Sequence, residues 1–254
     1  MEQAIMKKLI LLILMHVTLS CIAAQPKIVY RLDSRGPDEI FANGFRSWGN
    51  NLNVFSHITG DSCVNADPEQ RNSGFISTAA NQQWATGMAM QRVLQFRRQH
   101  YYLYRIRADS TFYNAESSLT RYASDNPNVV VSDINFIPSR QSNEYLTPGA
   151  IQTTNIMEVT DFYADEFGNI DTTHYQNSNY VSSSTSASSS PYTGSSDSVP
   201  RRFTWVRHLP FIGACMSSHD ELGQKKNLSS EQDAEAAFTL ESFLTSTAEI
   251  IDLY

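Results

Sequence analysis

An apolar run from Leu9 to Leu19, preceded by Lys7-Lys8 and followed by small residues at Cys21, Ala23 and Ala24, sets the first bound on this 254-residue chain. The order is that of an export leader, with cleavage expected after Ala23 or Ala24. The alternative is an N-terminal anchor helix, but a bilayer span needs roughly 20 apolar residues and this run is shorter. A lipoprotein reading through Cys21 is weakened by Thr18, which stands where an aliphatic residue is usual. With the leader set aside, about 230 residues remain, enough for one domain with a sizeable core.

Two further observations narrow the class. The formal net charge is −7 and the charges are not clustered, which argues against a nucleic-acid binder with a basic patch. Beyond the leader the cysteines are Cys63 and Cys215. In an exported protein two cysteines most often pair. Such a bridge closes a loop of about 150 residues, worth roughly 5 kcal/mol by loop entropy before any strain. Two free thiols, or a thiol reserved for another chain, is the alternative.

Patterning predicts mixed helices and strands. Pro37 to Gly44 reads as a short helix, with proline and acids at its start and glycine at its exit. A helix is expected from about Asn81 to Gln99, with Trp84, Met88, Gln91, Val93 and Leu94 near one face and Gly87 weakening it. Tyr101 to Arg107 alternates as a strand, with Tyr102, Tyr104 and Ile106 on one side. Asn155 to Tyr163 and Ile170 to Gln176 form a hairpin around Asp165 to Asn169. Val181 to Ser198 holds 10 serines, too few apolar groups to bury, and is expected to be a mobile loop. Glu231 to Leu253 has Ala237, Leu240, Leu244, Ala248 and Ile251 on one helical face.

Several residues could carry chemistry, and each has a plainer reading. Arg31, in a predicted strand, suits a phosphate or carboxylate fork; it could equally be solvated. His57, near an apolar run, is a structural histidine or a general base. Ser77-Thr78 ends a strand before a helix, so either hydroxyl is a helix cap or fixes a neighbouring carboxylate. Glu144 precedes Pro148-Gly149 and is solvated or catalytic. No metal-ligand spacing, phosphate-loop glycine pattern or Ser/His/Asp nucleophile pattern is present in the sequence.

Taken in order, these segments resemble the catalytic A subunits of the pertussis toxin family. The likeness is carried by Val29-Tyr30-Arg31, Asp33-Ser34-Arg35, Phe45, Trp48-Gly49-Asn50-Asn51, Asn53-Val54, His57, Thr59-Gly60 and Ser62-Cys63. It continues through Phe75, Ser77-Thr78, Arg107-Ala108-Asp109, Phe112-Tyr113, Glu144-Tyr145-Leu146, Tyr180-Val181-Ser182, Pro191-Tyr192-Thr193 and Ile212 to Met216. The resemblance implies an α+β mono-ADP-ribosyltransferase toxin fold, two roughly perpendicular sheets with an NAD cleft. It implies a transferase domain over residues 25–218, and a tail and helix over 219–254 that dock into a ring of five B subunits. NAD is implied as substrate, with no metal. The implied acceptor is a cysteine on the α subunit of an inhibitory host G protein.

The resemblance also implies roles. Glu144 and His57 are the catalytic pair: Glu144 stabilises the ribosyl cation as nicotinamide leaves, and His57 orients or deprotonates the acceptor. Arg31, Ser77, Thr78 and Trp48 bind NAD or shape its cleft, with Trp48 as a core aromatic the alternative. A Cys63–Cys215 bridge holds a lid over the cleft until reduced. Two positions depart from the family pattern. Ala79 replaces the third residue of a Ser-Thr-Ser motif, and Ser142 stands where Gln or Glu is common. An NAD glycohydrolase without protein acceptor, or a catalytically reduced assembly subunit, are the competing readings.

Overall fold

The computed structural model describes residues 24–59, 62, 72–131 and 136–195. The leader, Cys63 and Cys215, and the helix expected over Glu231 to Leu253 lie outside the described residues. No described helix is long and apolar enough to cross a membrane.

Nine strands, five α-helices and one 3-10 turn at Thr153–Asn155 are described. In chain order they are β1 Ile28–Asp33, α1 Pro37–Asn43, β2 Phe45–Arg46, α2 Val54–Ile58 and β3 Phe75–Ala79. Then come α3 Gln82–Gln95, β4 His100–Arg107, β5 Tyr113–Asn114, α4 Ala115–Asp125 and α5 Ile137–Ser142. The last are β6 Glu144–Pro148, β7 Ala150–Ile151, β8 Ile156–Ala164 and β9 Ile170–Gln176. The main sheet runs β5-β6-β3-β1-β4-β8-β9, and β2 pairs with β7 in a second, two-stranded sheet. Every pairing between these strands is antiparallel, and one isolated parallel bridge joins Asn51 and Ser73.

One seam divides the main sheet. Strands β1 and β4 register from Ile28–Arg107 to Asp33–Tyr102, but β1 and β3 share the single pair Tyr30–Ala79. The β5-β6-β3 half therefore joins the β1-β4-β8-β9 half at one point.

Side chains alternate across the sheet, because successive Cβ atoms of a strand point to opposite faces. Val29, Ile76, Tyr104, Ile106 and Tyr145 bury one face together with Phe45. On the other face Tyr30, Leu32, Ala79, Tyr101 and Leu103 pack under Ala85, Ala89 and Val93 of α3. Phe75 and Leu146 share that second face, under Val54 and Ile58 of α2 and Ala115 and Leu119 of α4. Two helical layers thus cover one sheet face side by side, and the strip between them falls at Ser77.

The helices start where a short polar side chain replaces a missing backbone partner. Asn53, Asn81 and Asn114 each accept a backbone N–H three residues on, from Ser56, Trp84 and Ser117. The cap of α3 is therefore Asn81, and Ser77 and Thr78 are released from that task. Helix α3 ends at Gln95, earlier than expected, since Arg98 takes φ 65° and the chain turns into β4. Its buried stripe is Ala85, Ala89 and Val93, with Trp84 and Met88 beside it; Leu94 is exposed. Small residues at this i, i+4, i+8 spacing let the helix lie close to the sheet, which a larger stripe would prevent. The expected hairpin is present, closed by Asp165, whose Oδ1 accepts from the N–H groups of Phe167 and Asn169.

The serine-rich run departs from expectation over 181–195. It has no regular secondary structure, yet it is laid along the body. Ala187 is buried and donates its N–H to the Pro26 carbonyl, and Thr185 Oγ1 donates to Ala108. Tyr192 packs edge-on to Phe75, and Ser195 Oγ accepts the N–H of Val54 at the start of α2. Serine hydroxyls that satisfy backbone groups let a segment poor in apolar side chains be held.

Gly44 and Gly149 provide a test of this framework. Both have positive φ, 70° and 76°, but a Cβ on Gly44 would meet the Ile151 carbonyl oxygen at 2.3 Å, whereas one on Gly149 meets nothing within 4 Å. Gly149→Ala should cost about 1–2 kcal/mol, the left-handed strain alone. Gly44→Ala should cost clearly more by urea denaturation, since it also forces β2 and β7 apart.

Candidate functional site

Five buried polar side chains converge at the strip between the helical layers. Helix α2 brings His57 down onto the sheet, where its Nε2 lies 2.8 Å from Ser77 Oγ in β3. Its Nδ1 lies 2.6 Å from Ser73 Oγ, just before that strand. Glu144 opens β6 opposite Ala79, and so shares a face with Ser77. It receives a 2.8 Å hydrogen bond to Oε2 from the hydroxyl of Ser139 in α5. His57 and Glu144 are both 0% exposed.

The turn from α5 into β6 aims Glu144. Asn143 takes the left-handed conformation at φ 47° and closes the helix, which asparagine tolerates better than most residues. The carbonyls of Ser142 and Asn143 accept from Asn81 and Ala80, tying this turn to the end of β3.

Arg31 lies on the other face by strand alternation and reaches the site at the seam. Its Nη1 donates to the Ser77 carbonyl at 3.0 Å and its Nη2 to Asp33 at 3.3 Å. Its guanidinium carbon stands 5.0 Å from the centre of the Phe45 ring. Asp33 also accepts from Arg35 through Nε and Nη2, both at 2.9 Å. Arg31 is 2% exposed, so the solvated reading does not hold, and these contacts brace β1 against β3.

Burial dominates the electrostatics. Removal from water, and then the positive charge of Arg31, push the His57 imidazole down to about 3, so the ring is neutral at physiological pH. Burial pushes the Glu144 carboxyl up to about 8, partly offset by the hydroxyls of Ser139 and Ser77. Ser77 thus acts on the carboxyl, but short of regular hydrogen-bond geometry: Glu144 Oε1 has no hydrogen-bond partner among the described residues. Burial lowers Arg31 to about 10, with Asp33 opposing the shift, and the guanidinium stays charged near neutrality.

Of the residues expected at the site, His57, Ser77 and Glu144 are brought together and Arg31 touches them through the Ser77 backbone. Thr78 points to the opposite face, where its hydroxyl donates to the Tyr145 carbonyl. Trp48 is half-buried in a turn after β2, between Ser47, bonded to Gly149, and Gly49, bonded to Ser73. No group of acidic, histidine or cysteine side chains suited to a metal occurs among the described residues. Ser73 and Ser139 were not legible as site residues. A single serine carries no sequence signal; only the pairing of β3 with β6 and the packing of α2 bring them to His57 and Glu144.

The two shifted groups act oppositely on stability. Glu144 binds its proton more tightly folded than unfolded, so it lowers stability as pH rises from about 4.5 to 8. His57 binds its proton less tightly folded, so stability falls as pH drops below about 6.5 toward 3. In urea denaturation, Glu144→Gln should therefore gain on the wild type as pH rises from 5 to 8. His57→Gln should gain on it as pH falls from 6.5 to 4.

Comparison with known proteins identifies the family and the fold. The family model described as pertussis toxin, subunit 1, matches residues 24–246. Pertussis toxin subunit 1 of Bordetella pertussis is 37% identical over 225 residues, covering 83% of this chain and 81% of that protein. The ADP-ribosylating toxin CARDS of Mycoplasma pneumoniae is 36% identical over 95 residues, 36% of this chain and 15% of that protein. Among solved structures, EcPltA aligns with a TM-score of 0.59 and 31% identity, covering 68% of this chain and 98% of that one. A seven-stranded sheet nearly parted at β1 and β3, a small second sheet and few helices make up the α+β ADP-ribosyltransferase toxin fold, and the chain belongs to the pertussis toxin subunit 1 family.

Proposed function

We propose that this chain is the catalytic A subunit of an exported toxin, which transfers ADP-ribose from NAD to a host protein and releases nicotinamide. The observation that carries the reading is the Glu144 carboxyl, buried, held at Oε2 by Ser139, and with no hydrogen-bond partner for Oε1 among the described residues. A fixed carboxylate with one oxygen to spare suits a ribose hydroxyl. It also suits the positive charge that grows on the ribose as the bond to nicotinamide breaks. That charge exists chiefly in the transition state, so the interaction lowers the barrier rather than merely binding substrate. Family membership and the activity named for the CARDS toxin support NAD as the substrate.

Ser77 positions the carboxylate, and Arg31 holds the strand that carries Ser77. Residues 25–218 form the transferase and residues 219–254 dock it to a five-membered B ring, with Cys63 and Cys215 paired. The acceptor is a cysteine of an inhibitory G-protein α subunit. These finer assignments rest on the family resemblance.

One observation favours hydrolysis as a second reading. Ser142 occupies the position, two residues before Glu144, where the family commonly has Gln or Glu. Here it is 0% exposed and its hydroxyl turns back toward the Ser139 carbonyl. A side chain so placed does not reach an acceptor. The neighbouring Asn143 is exposed.

Labelled NAD incubated with the full reduced chain and host-cell lysate separates these readings. Transfer predicts a labelled host protein, lost by about 10²–10³-fold in Glu144→Gln. Free ADP-ribose without a labelled protein supports hydrolysis, and no turnover by the wild type rejects both. Because the carboxylate is the active form, kcat/KM for NAD should rise as pH increases through about 8. The limb for kcat should lie lower, since the bound nicotinamide cation favours the ionised carboxyl.

A further inference from the structure

The hydroxyl of Ser73 makes the shortest hydrogen bond to His57, 2.6 Å, and has no role in the scheme above. A neutral imidazole offers one N–H and one lone pair, so the two serines on His57 do different things. Ser73 Oγ already accepts the backbone N–H of Phe75 at 3.2 Å. For its own proton it has Nδ1 of His57 at 2.6 Å or the Phe75 carbonyl at 3.5 Å. The second distance is at the limit of a hydrogen bond, so the proton goes to Nδ1. The ring proton is then on Nε2, and His57 donates to Ser77 at 2.8 Å. Ser77, accepting from the ring, keeps its own O–H to turn toward Glu144. In the other tautomer Ser77 would donate to Nε2 and would face the carboxylate, in the ionised form that acts above about pH 8, with lone pairs. Two acceptors meeting in a fully buried position is costly.

We propose that Ser73 fixes His57 as the Nε2–H tautomer, so that hydrogen bonds run one way from Ser73 through His57 to Ser77, whose O–H is left free to face Glu144. His57 is then a positioning residue for the carboxylate, not the base that takes a proton from the acceptor. Its Nε2 carries hydrogen and its Nδ1 lone pair is taken. The inference rests on Glu144 being the group that acts on NAD.

The test is nitrogen NMR of the full chain with labelled histidine rings, His57 being identified by its loss in His57→Gln. Nδ1 should resonate as an unprotonated and Nε2 as a protonated nitrogen; the reverse pattern overturns the proposal. Ser73→Ala should shift the ring toward Nδ1–H and lower kcat for NAD cleavage about tenfold, the worth of one orienting hydrogen bond, with KM changed less than about twofold. Ser73→Thr, which keeps the hydroxyl, should restore both. A folded Ser73→Ala with unchanged tautomer and kcat overturns the proposal. Should Ser73→Ala fail to fold, the wild-type tautomer and Ser73→Thr still decide it. Failure of the underlying reading looks different: Glu144→Gln would then cleave NAD at the wild-type rate, whatever the His57 tautomer.

Discussion

Arg31 stands where β1 and β3 share only the pair Tyr30–Ala79, and its guanidinium spans the gap that the ladder leaves. It takes up the Ser77 carbonyl on one side and Asp33 on the other, while Phe45 covers it. A fully buried cation is costly unless it is paired and hydrogen-bonded, so these contacts have to be present together. Asp33 in turn clasps Arg35, whose carbonyl accepts from Tyr104 in the core at 2.6 Å. One polar cluster thereby locks the seam, orients the strand that carries Ser77, and connects the site to the core of β4.

The same cation shapes the chemistry. Placed near His57 in a dry region, it adds to the effect of burial and keeps the imidazole neutral. The site therefore holds a neutral ring, three serine hydroxyls and a carboxyl that gives up its proton reluctantly. A cationic substrate is what such a carboxyl lacks: its arrival compensates the charge that burial penalises. The burial penalty on the charged Glu144 carboxylate and its proposed role with NAD are two sides of one arrangement.

Support for this arrangement is spread over segments that look dispensable in the sequence. Serine-rich stretches are usually solvent-borne, but here Ser195 holds the first turn of α2 and Tyr192 packs on Phe75. The helix carrying His57 is only Val54–Ile58, too short to be stable alone. Its place depends on the Asn53 cap, on α4 and on that irregular strap.

Alternation in Tyr101 to Arg107, the proline and acids opening α1 and the turn at Asp165 are local chemistry, and local chemistry is visible in a sequence. So were Arg31, His57, Ser77 and Glu144, but only through their order and spacing along a family pattern; each alone was ambiguous between site and surface. What the sequence by itself determined was α1, α3, β4, the β8–β9 hairpin and the candidate groups, because periodicity and turn chemistry act within a few residues, whereas α2, α4, α5 and the shortest strands depended on packing. The tertiary structure alone decided which of those groups meet. Strand parity put Ser77 and Glu144 on one face and sent Thr78 to the other, the seam let Arg31 through, and burial assigned the charges. Ser73 and Ser139 became site residues only when β3, β6 and the helices above them closed around His57 and Glu144.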